Sequence, residues 1–256
     1  MTDMVTIKSK SEIEKMKIAG LITHGALEEV RRAIRPGVTT LELDSVAEKY
    51  IRAQGATPSF KGYGGFPGSV CASVNDEIIH GIPDKRKLKD GDIISIDVGA
   101  CYKGYNGDAC RTFPVGEISD EAKRLIEVTR QSFFEGLKYA REGYRVSDIS
   151  RAVQEYVEKN GFSALRNYCG HGIGTQMHED PEVPNYVSNV RGIRLRAGMC
   201  ICIEPMVCQG DKDYFVSDNE WTVSTKDGKL AAHYENSVLL TNGEPYLLTL
   251  PEGQED

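Results

Sequence analysis

Gly91-Asp-Ile-Ile-Ser-Ile-Asp97 and Gly198-Met-Cys-Ile-Cys-Ile-Glu204 are two versions of one pattern. In each, a glycine stands six residues before a carboxylate, and the alternating side chains between them predict a strand. Asp108 then precedes Gly116 by eight residues, as Glu235 precedes Gly243. Aspartate and glutamate are depleted in strands and are seldom buried without a partner. Four of them on the strands of a duplicated chain point to a cation site between the two copies.

The duplication extends outward from these strands. Gly143 follows Gly37 by 106 residues, and at that offset Leu43, Val46, Ala47, Tyr50 and Ile51 match Ile149, Ala152, Val153, Tyr156 and Val157. Both sets have the i, i+3, i+4, i+7, i+8 spacing of an amphipathic helix. Gly55 and Gly161 fall at the same offset, where a helix stop belongs. A further helix precedes each unit, marked by Ile13, Met16, Leu27, Val30 and Ile34 in the first and by Leu125, Val128, Phe133 and Leu137 in the second. The chain is therefore read as one α+β domain, 1–256, with an internal pseudo-repeat over about 10–118 and 119–250. Each half is helix, helix, then antiparallel strands, with the helices on one face of the sheet.

Alternation places the carboxylates on the other face. Ile94, Ile96 and Val98 oppose Ile93, Ser95 and Asp97; Ile201 and Ile203 oppose Cys200, Cys202 and Glu204. A two-residue turn at Lys103-Gly104 sets Asp108 opposite Gly99, diagonal to Asp97. In the second half the acidic pair is 31 residues apart instead of 11. The insert contains the only tryptophan, Trp221, which is expected to line a pocket.

Composition narrows the class. Hydrophobic residues make up 40% and charged residues 27% of the chain, as in ordinary globular proteins. A net charge of -7 argues against a general or sequence-specific nucleic-acid binder. Lys85-Arg86-Lys87 and Arg191 to Arg196 read as solvated loops. Seven cysteines without a CxxC pair predict neither a disulfide framework nor a zinc finger. No signal peptide and no apolar stretch of ~20 residues is present, so a reduced, cytoplasmic protein without a membrane span is expected.

Should Asp97, Asp108, Glu204 and Glu235 converge, each pair ~4 Å apart would repel by about 4 kcal/mol at an effective dielectric near 20. Two divalent ions would offset them, and an oxygen-rich shell favours Mn, Fe(II) or Co over a thiolate-type Zn site. The nitrogen ligand is expected at His171, in Tyr168-Cys-Gly-His171-Gly-Ile-Gly174. An isolated histidine is more often structural, but glycines on both sides and the acidic pairs favour a ligand here. His80 and His178 are compatible with proton chemistry or with a plain packing or surface role. His24 reads as structural and His233 as a supporting neighbour of Glu235. There is no GxSxG elbow, HExxH helix or Walker loop.

Over essentially its whole length the chain resembles the type I methionine aminopeptidases. The resemblance is carried by Ser73-Val-Asn-Asp-Glu-Ile-Ile-His80-Gly-Ile-Pro83, Asp90-Gly-Asp-Ile-Ile-Ser-Ile-Asp97, Gly107-Asp108, Gly170-His171-Gly-Ile-Gly174, Ile203-Glu204-Pro205 and Tyr234-Glu235. It implies the pseudo-two-fold pita-bread fold and removal of the initiator methionine from nascent chains and peptides with a small second residue. It further implies that Asp108 and Glu235 bridge two divalent ions (Mn, Fe(II), Co or Zn), with Asp97 on one and His171 and Glu204 on the other. Glu204 would be general base and acid, His178 would steady the oxyanion, and His80 would contact the scissile nitrogen. Phe60, Tyr63, Phe66, Cys71, Met177 and Trp221 match methionine-pocket positions. The expected partners are nascent N-termini and, transiently, the ribosome, with the protein a monomer. Proline-directed relatives usually carry a sizeable extra N-terminal domain, and type II enzymes a longer helical insertion; neither pattern is expected here. A binding protein that kept the fold would be expected to have lost some of the five ligand positions.

Overall fold

The structure, a computed structural model, describes residues 5–253. Four helices form where periodicity and caps coincide. α1 (Lys10–Ala33) opens on Ser9, whose N–H donates to Glu12 Oε2 at 2.7 Å. α2 (Thr40–Ala53) opens on the same kind of box, with Thr39 Oγ1 accepting from Glu42 N at 3.1 Å. α3 (Asp120–Leu137) is capped by Ser119, and α4 (Val146–Lys159) by the Asp148 carboxylate on Arg145 N at 2.9 Å. Beyond α2 and α4, Gly55 (φ 73°) and Gly161 (φ 80°) take the left-handed conformation that ends each helix.

The main sheet has nine strands. Along its path lie Thr57–Pro58, Ile93–Tyr102, Tyr105–Pro114, Glu235–Leu239, Cys200–Ile203, Cys169–Gly172 and Glu179–Pro184. Val70–Val74 pairs with Ile93–Tyr102, and Tyr246–Leu247 with Glu235–Leu239. All of these ladders are antiparallel. Lys103 (φ 49°) and Gly104 (φ 80°) make the two-residue turn, and Asp108 faces Gly99 as the turn requires. The seam between the halves is where Tyr105–Pro114 meets Glu235–Leu239.

The apolar faces fill two cores. Leu27, Val30, Leu43 and Ile51 from α1 and α2 pack on Ile94, Ile96 and Val98; Leu125, Phe133, Ile149 and Val153 from α3 and α4 pack on Ile201, Ile203 and Val238. The α+β architecture expected from the sequence is thus the one observed. A third cluster, with Met16, Phe60, Phe66, Cys71, Met177, Cys200 and Cys202, draws on both halves of the chain.

The second-half insert leaves the main sheet to build two small ones. Met206–Cys208 pairs with Ala231–His233 and Ser163–Ala164. Tyr214–Val216 pairs with Val223–Thr225, which pairs in turn with Glu77–Ile79, the strand leading into His80. All seven cysteines are free thiols. Among the described residues no helix is long and apolar enough to cross a membrane.

Candidate metal centre

Five of the residues singled out above come from five different strands or strand ends. Asp97 faces Cys71 on one neighbouring strand and Cys110 on the other; Glu235 faces Cys110 across the seam. Asp108 occupies the hairpin position opposite Gly99, and Glu204 stands one residue beyond Cys200–Ile203. His171 lies on the short strand Cys169–Gly172. Its flanking glycines are a packing requirement: a Cβ on Gly170 would sit 2.3 Å from the Cys202 carbonyl, and one on Gly172 2.2 Å from that of Asp180.

These residues share a cavity of about 130 Å³ with His80, His178, Phe60, Tyr63, Phe66, Cys71 and Trp221. Met177 is the exception among the expected site residues. It is buried in the apolar cluster with Phe60, Phe66 and Cys71 and does not line the cavity.

The electrostatics are those of a cation site. Asp108, Glu235 and His171 are buried, while Asp97 and Glu204 keep partial exposure. Burial, with the neighbouring carboxylates adding to it, pushes the Asp108, Glu204 and Glu235 carboxyls well above the usual range. Burial likewise raises Asp97 to about 6. Asp97 Oδ1, Asp108 Oδ1 and Glu235 Oε1 are buried without a hydrogen-bond partner. Leaving several such oxygens unsatisfied is costly, and divalent cations satisfy them.

His171 completes the set. Its Nδ1 donates to the Gly172 carbonyl at 2.9 Å, so in the neutral ring the Nε2 lone pair is free to ligate. Nε2 lies 3.7 Å from both Asp108 Oδ2 and Glu204 Oε1. Burial holds the ring neutral, with its pKa lowered to about 3. The donor set of carboxylates and one imidazole suits divalent ions of intermediate hardness.

The histidines at the rim differ in exposure. His178 is exposed at the cavity mouth, its Nδ1 2.8 Å from Tyr63 Oη. His80 is held in a left-handed conformation (φ 58°), and burial lowers its pKa to about 4. Its carbonyl accepts from Thr222 Oγ1 at 3.4 Å, so the insert braces it. Trp221, next along the same loop, meets Phe66 edge-on at 5.1 Å. Asn219 fixes that turn by accepting from Trp221 N and Thr222 N at 3.0 and 2.9 Å.

Two neighbours matter more than the sequence suggested. His233 Nε2 is 3.5 Å from Glu204 Oε2, and the Cys202 thiol lies with ligand atoms of Asp108, His171 and Glu235 inside a 4.8 Å cluster. Strand alternation is the signal for both, since each stands two residues before an acidic position on the same face.

Comparison with known proteins fits this centre. The model of metallopeptidase family M24 matches residues 14–242. The methionine aminopeptidase of Clostridium acetobutylicum is 54% identical over 250 residues, spanning 97% of this chain and 100% of that one. Methionine aminopeptidase 1 of Bacillus subtilis is 50% identical, spanning 93% and 96%. The crystal structure of the Thermotoga maritima methionine aminopeptidase superposes with a TM-score of 0.94 at 44% identity, covering 97% of this chain and all of that one. Prolidase from Pyrococcus furiosus shares the fold (TM-score 0.80, 24% identity), with 96% of this chain matched to 66% of that one. On the family match and these full-length identities, the chain belongs to metallopeptidase family M24, among its methionine aminopeptidases.

Proposed function

We propose that the protein removes the N-terminal methionine from peptides and nascent chains whose second residue is small. One observation carries the reading: a small cavity joins an acidic, imidazole-bearing floor to an apolar wall of Phe60, Phe66, Cys71 and Trp221. At about 130 Å³ the cavity is small, and its apolar wall suits an unbranched apolar side chain. The names of the relatives support methionine as that side chain.

Asp108 and Glu235 would hold both of two divalent ions, Asp97 one of them, and His171 and Glu204 the other. When bound, the ions supply a nucleophilic water whose pKa falls to about 7 and polarise the scissile carbonyl. Mn, Fe(II) and Co suit this donor set, and Zn is also accommodated. Glu204 accepts the proton of the attacking water and hands it to the leaving amine. With Tyr63 donating to His178 Nδ1, the other ring nitrogen carries a proton and can steady a developing oxyanion. His80, kept neutral, contacts the scissile nitrogen. The substrate's free amine is placed beside Asp97, which restricts cleavage to the first residue. We take the chain to act as a single, monomeric catalytic domain in the cytoplasm, meeting nascent chains during a brief ribosome contact through a local basic patch.

The test is release of methionine from Met-Ala-Ser by chelator-stripped protein titrated with Mn or Co. Release that rises with metal, with none of alanine from Ala-Pro, is expected. No release with metal demonstrably bound would reject the assignment.

A further inference from the structure

Asp108 and Glu235 stand on the two strands that meet at the seam, and side chains of the opposite half hold their main chains. The ladder between these strands is short, with Cys110 facing Glu235 and Ala109 facing Asn236. One step further, the Ser237 hydroxyl takes over from the backbone. Its Oγ accepts from Asp108 N at 2.9 Å and donates to the Asp108 carbonyl at 3.0 Å. The main chain of Ser237 is committed elsewhere: its N–H donates to Thr249 Oγ1 at 3.2 Å, and its carbonyl accepts from Leu248 N at 2.9 Å.

Arg111 performs the matching task in the other direction. Its Nη1 donates to the carbonyls of Cys110 at 2.9 Å and Glu235 at 2.6 Å, and Nη2 donates to Asn236 Oδ1 at 2.9 Å. The guanidinium lies over the Tyr234 ring, 4.1 Å from its centre. Arg111 and Ser237 are both buried. Ser237 of the second half thus grips Asp108 of the first, while Arg111 of the first half grips Glu235 of the second.

We propose that Arg111 and Ser237 are reciprocal positioning residues that set the spacing of Asp108 and Glu235, and through it the affinity for a pair of divalent ions. This rests on the assignment of those two carboxylates as shared ligands. The physical argument is rigidity. A planar guanidinium spanning two carbonyls and an amide fixes three acceptors at once, which a lysine ammonium cannot reproduce. A hydroxyl that both donates to and accepts from one residue fixes that residue's main chain. Neither group lines the cavity, so removing either changes ligand spacing without removing a ligand charge or a substrate contact.

The experiment titrates chelator-stripped full-length protein with Mn(II) by calorimetry and records the electron paramagnetic resonance of the loaded protein. Wild type should take two ions and show a spin-coupled pair. Ser237→Ala and Arg111→Lys should each weaken Mn binding by about 10- to 100-fold and alter the coupled signal. Ser237→Thr, which keeps the hydroxyl, should restore both. Ser150→Ala removes a buried hydroxyl that bonds within α4, at 3.1 Å from the Val146 carbonyl, and should leave Mn affinity unchanged. At saturating metal the variants should lose kcat with KM unmoved. A folded Ser237→Ala protein with wild-type affinity and spectrum overturns the proposal. The alanine and threonine pair decides the matter even where Arg111→Lys does not fold. Wild type binding fewer than two ions would instead overturn the two-ion reading and the proposal with it.

Discussion

The two halves carry the same pair of acidic positions and connect them differently. In the first half, Ile93–Tyr102 and Tyr105–Pro114 stay in register along their whole length and turn over at Lys103-Gly104. In the second, Cys200–Ile203 and Glu235–Leu239 pair over only four positions, and the chain between Glu204 and Glu235 leaves to form separate small sheets. The uninterrupted hairpin presents Asp97 and Asp108 on one face and packs Ile94, Ile96 and Val98 into the first core on the other. The interrupted one presents Glu204 and Glu235 and also delivers Trp221 to the cavity and a brace to His80. The acidic positions thus follow the symmetry, while Trp221 and the brace on His80 come from the departure from it.

That division can be broken most sharply at Glu204. Glu204→Gln should lower turnover by at least ~10²–10⁴-fold, the range for loss of a proton-transfer group, while circular dichroism and Tm show the fold retained. Near-normal turnover would mean that the proton acceptor lies elsewhere, with His233 the nearest alternative at 3.5 Å. Metal removal tests the symmetric part as a whole. Without cations the buried carboxylates are pressed together, so thermal melts should shift upward on adding Mn. The gain is about 2.7 kcal/mol when free metal is a hundredfold above its Kd. A Tm indifferent to Mn would argue against a cation site at the seam.

The asymmetric part should respond through substrate alone. Trp221→Ala gives up one aromatic contact worth about 1.5–3 kcal/mol, so KM for methionyl peptides should rise roughly ten- to a hundredfold, with Mn affinity unchanged. A wild-type KM would remove Trp221 from the pocket. The smallest effect is expected at Glu48 on α2, which binds Lys61 beside the pocket residue Phe60 at 2.7 Å and Arg52 at 2.8 Å. The Lys61 hydrogen bond heads the causes that lower its pKa to about 2. A depressed carboxyl pKa stabilises the fold above the unfolded value, near 4.5, and that contribution fades as pH falls towards 2. Glu48→Gln should flatten this acid limb in urea titrations. The loss at neutral pH should stay below about 1 kcal/mol because solvent screens the pair.

Much of this is legible in the sequence. The helices follow from apolar spacing closed by serine, threonine and glycine signals, and those are local. The position of Asp108 opposite Gly99 follows from a two-residue turn and a period of two. What the sequence does not display is nonlocal. Nothing around Glu77 announces that Val223–Thr225 will pair with it, because a strand's partner is chosen by tertiary packing. Met177 matched a pocket position in sequence, and its burial in one cluster with Phe60, Phe66 and Cys71 is a tertiary contact that no local signal displays. His233 carried the right alternation but too little local context to be placed against Glu204.

The sequence by itself determined the duplicated α+β plan, the four acidic positions and the histidine between glycines. Those depend on local periodicity, turn chemistry and charge, which a linear chain displays directly. Only the tertiary structure decided how the halves approach. The spacing of Asp108 and Glu235 rests on cross-seam hydrogen bonds from Ser237 and Arg111. The shape of the cavity rests on an insert folded back across the first half. Both are contacts between residues far apart in the chain, whose energy exists only once the two cores have packed.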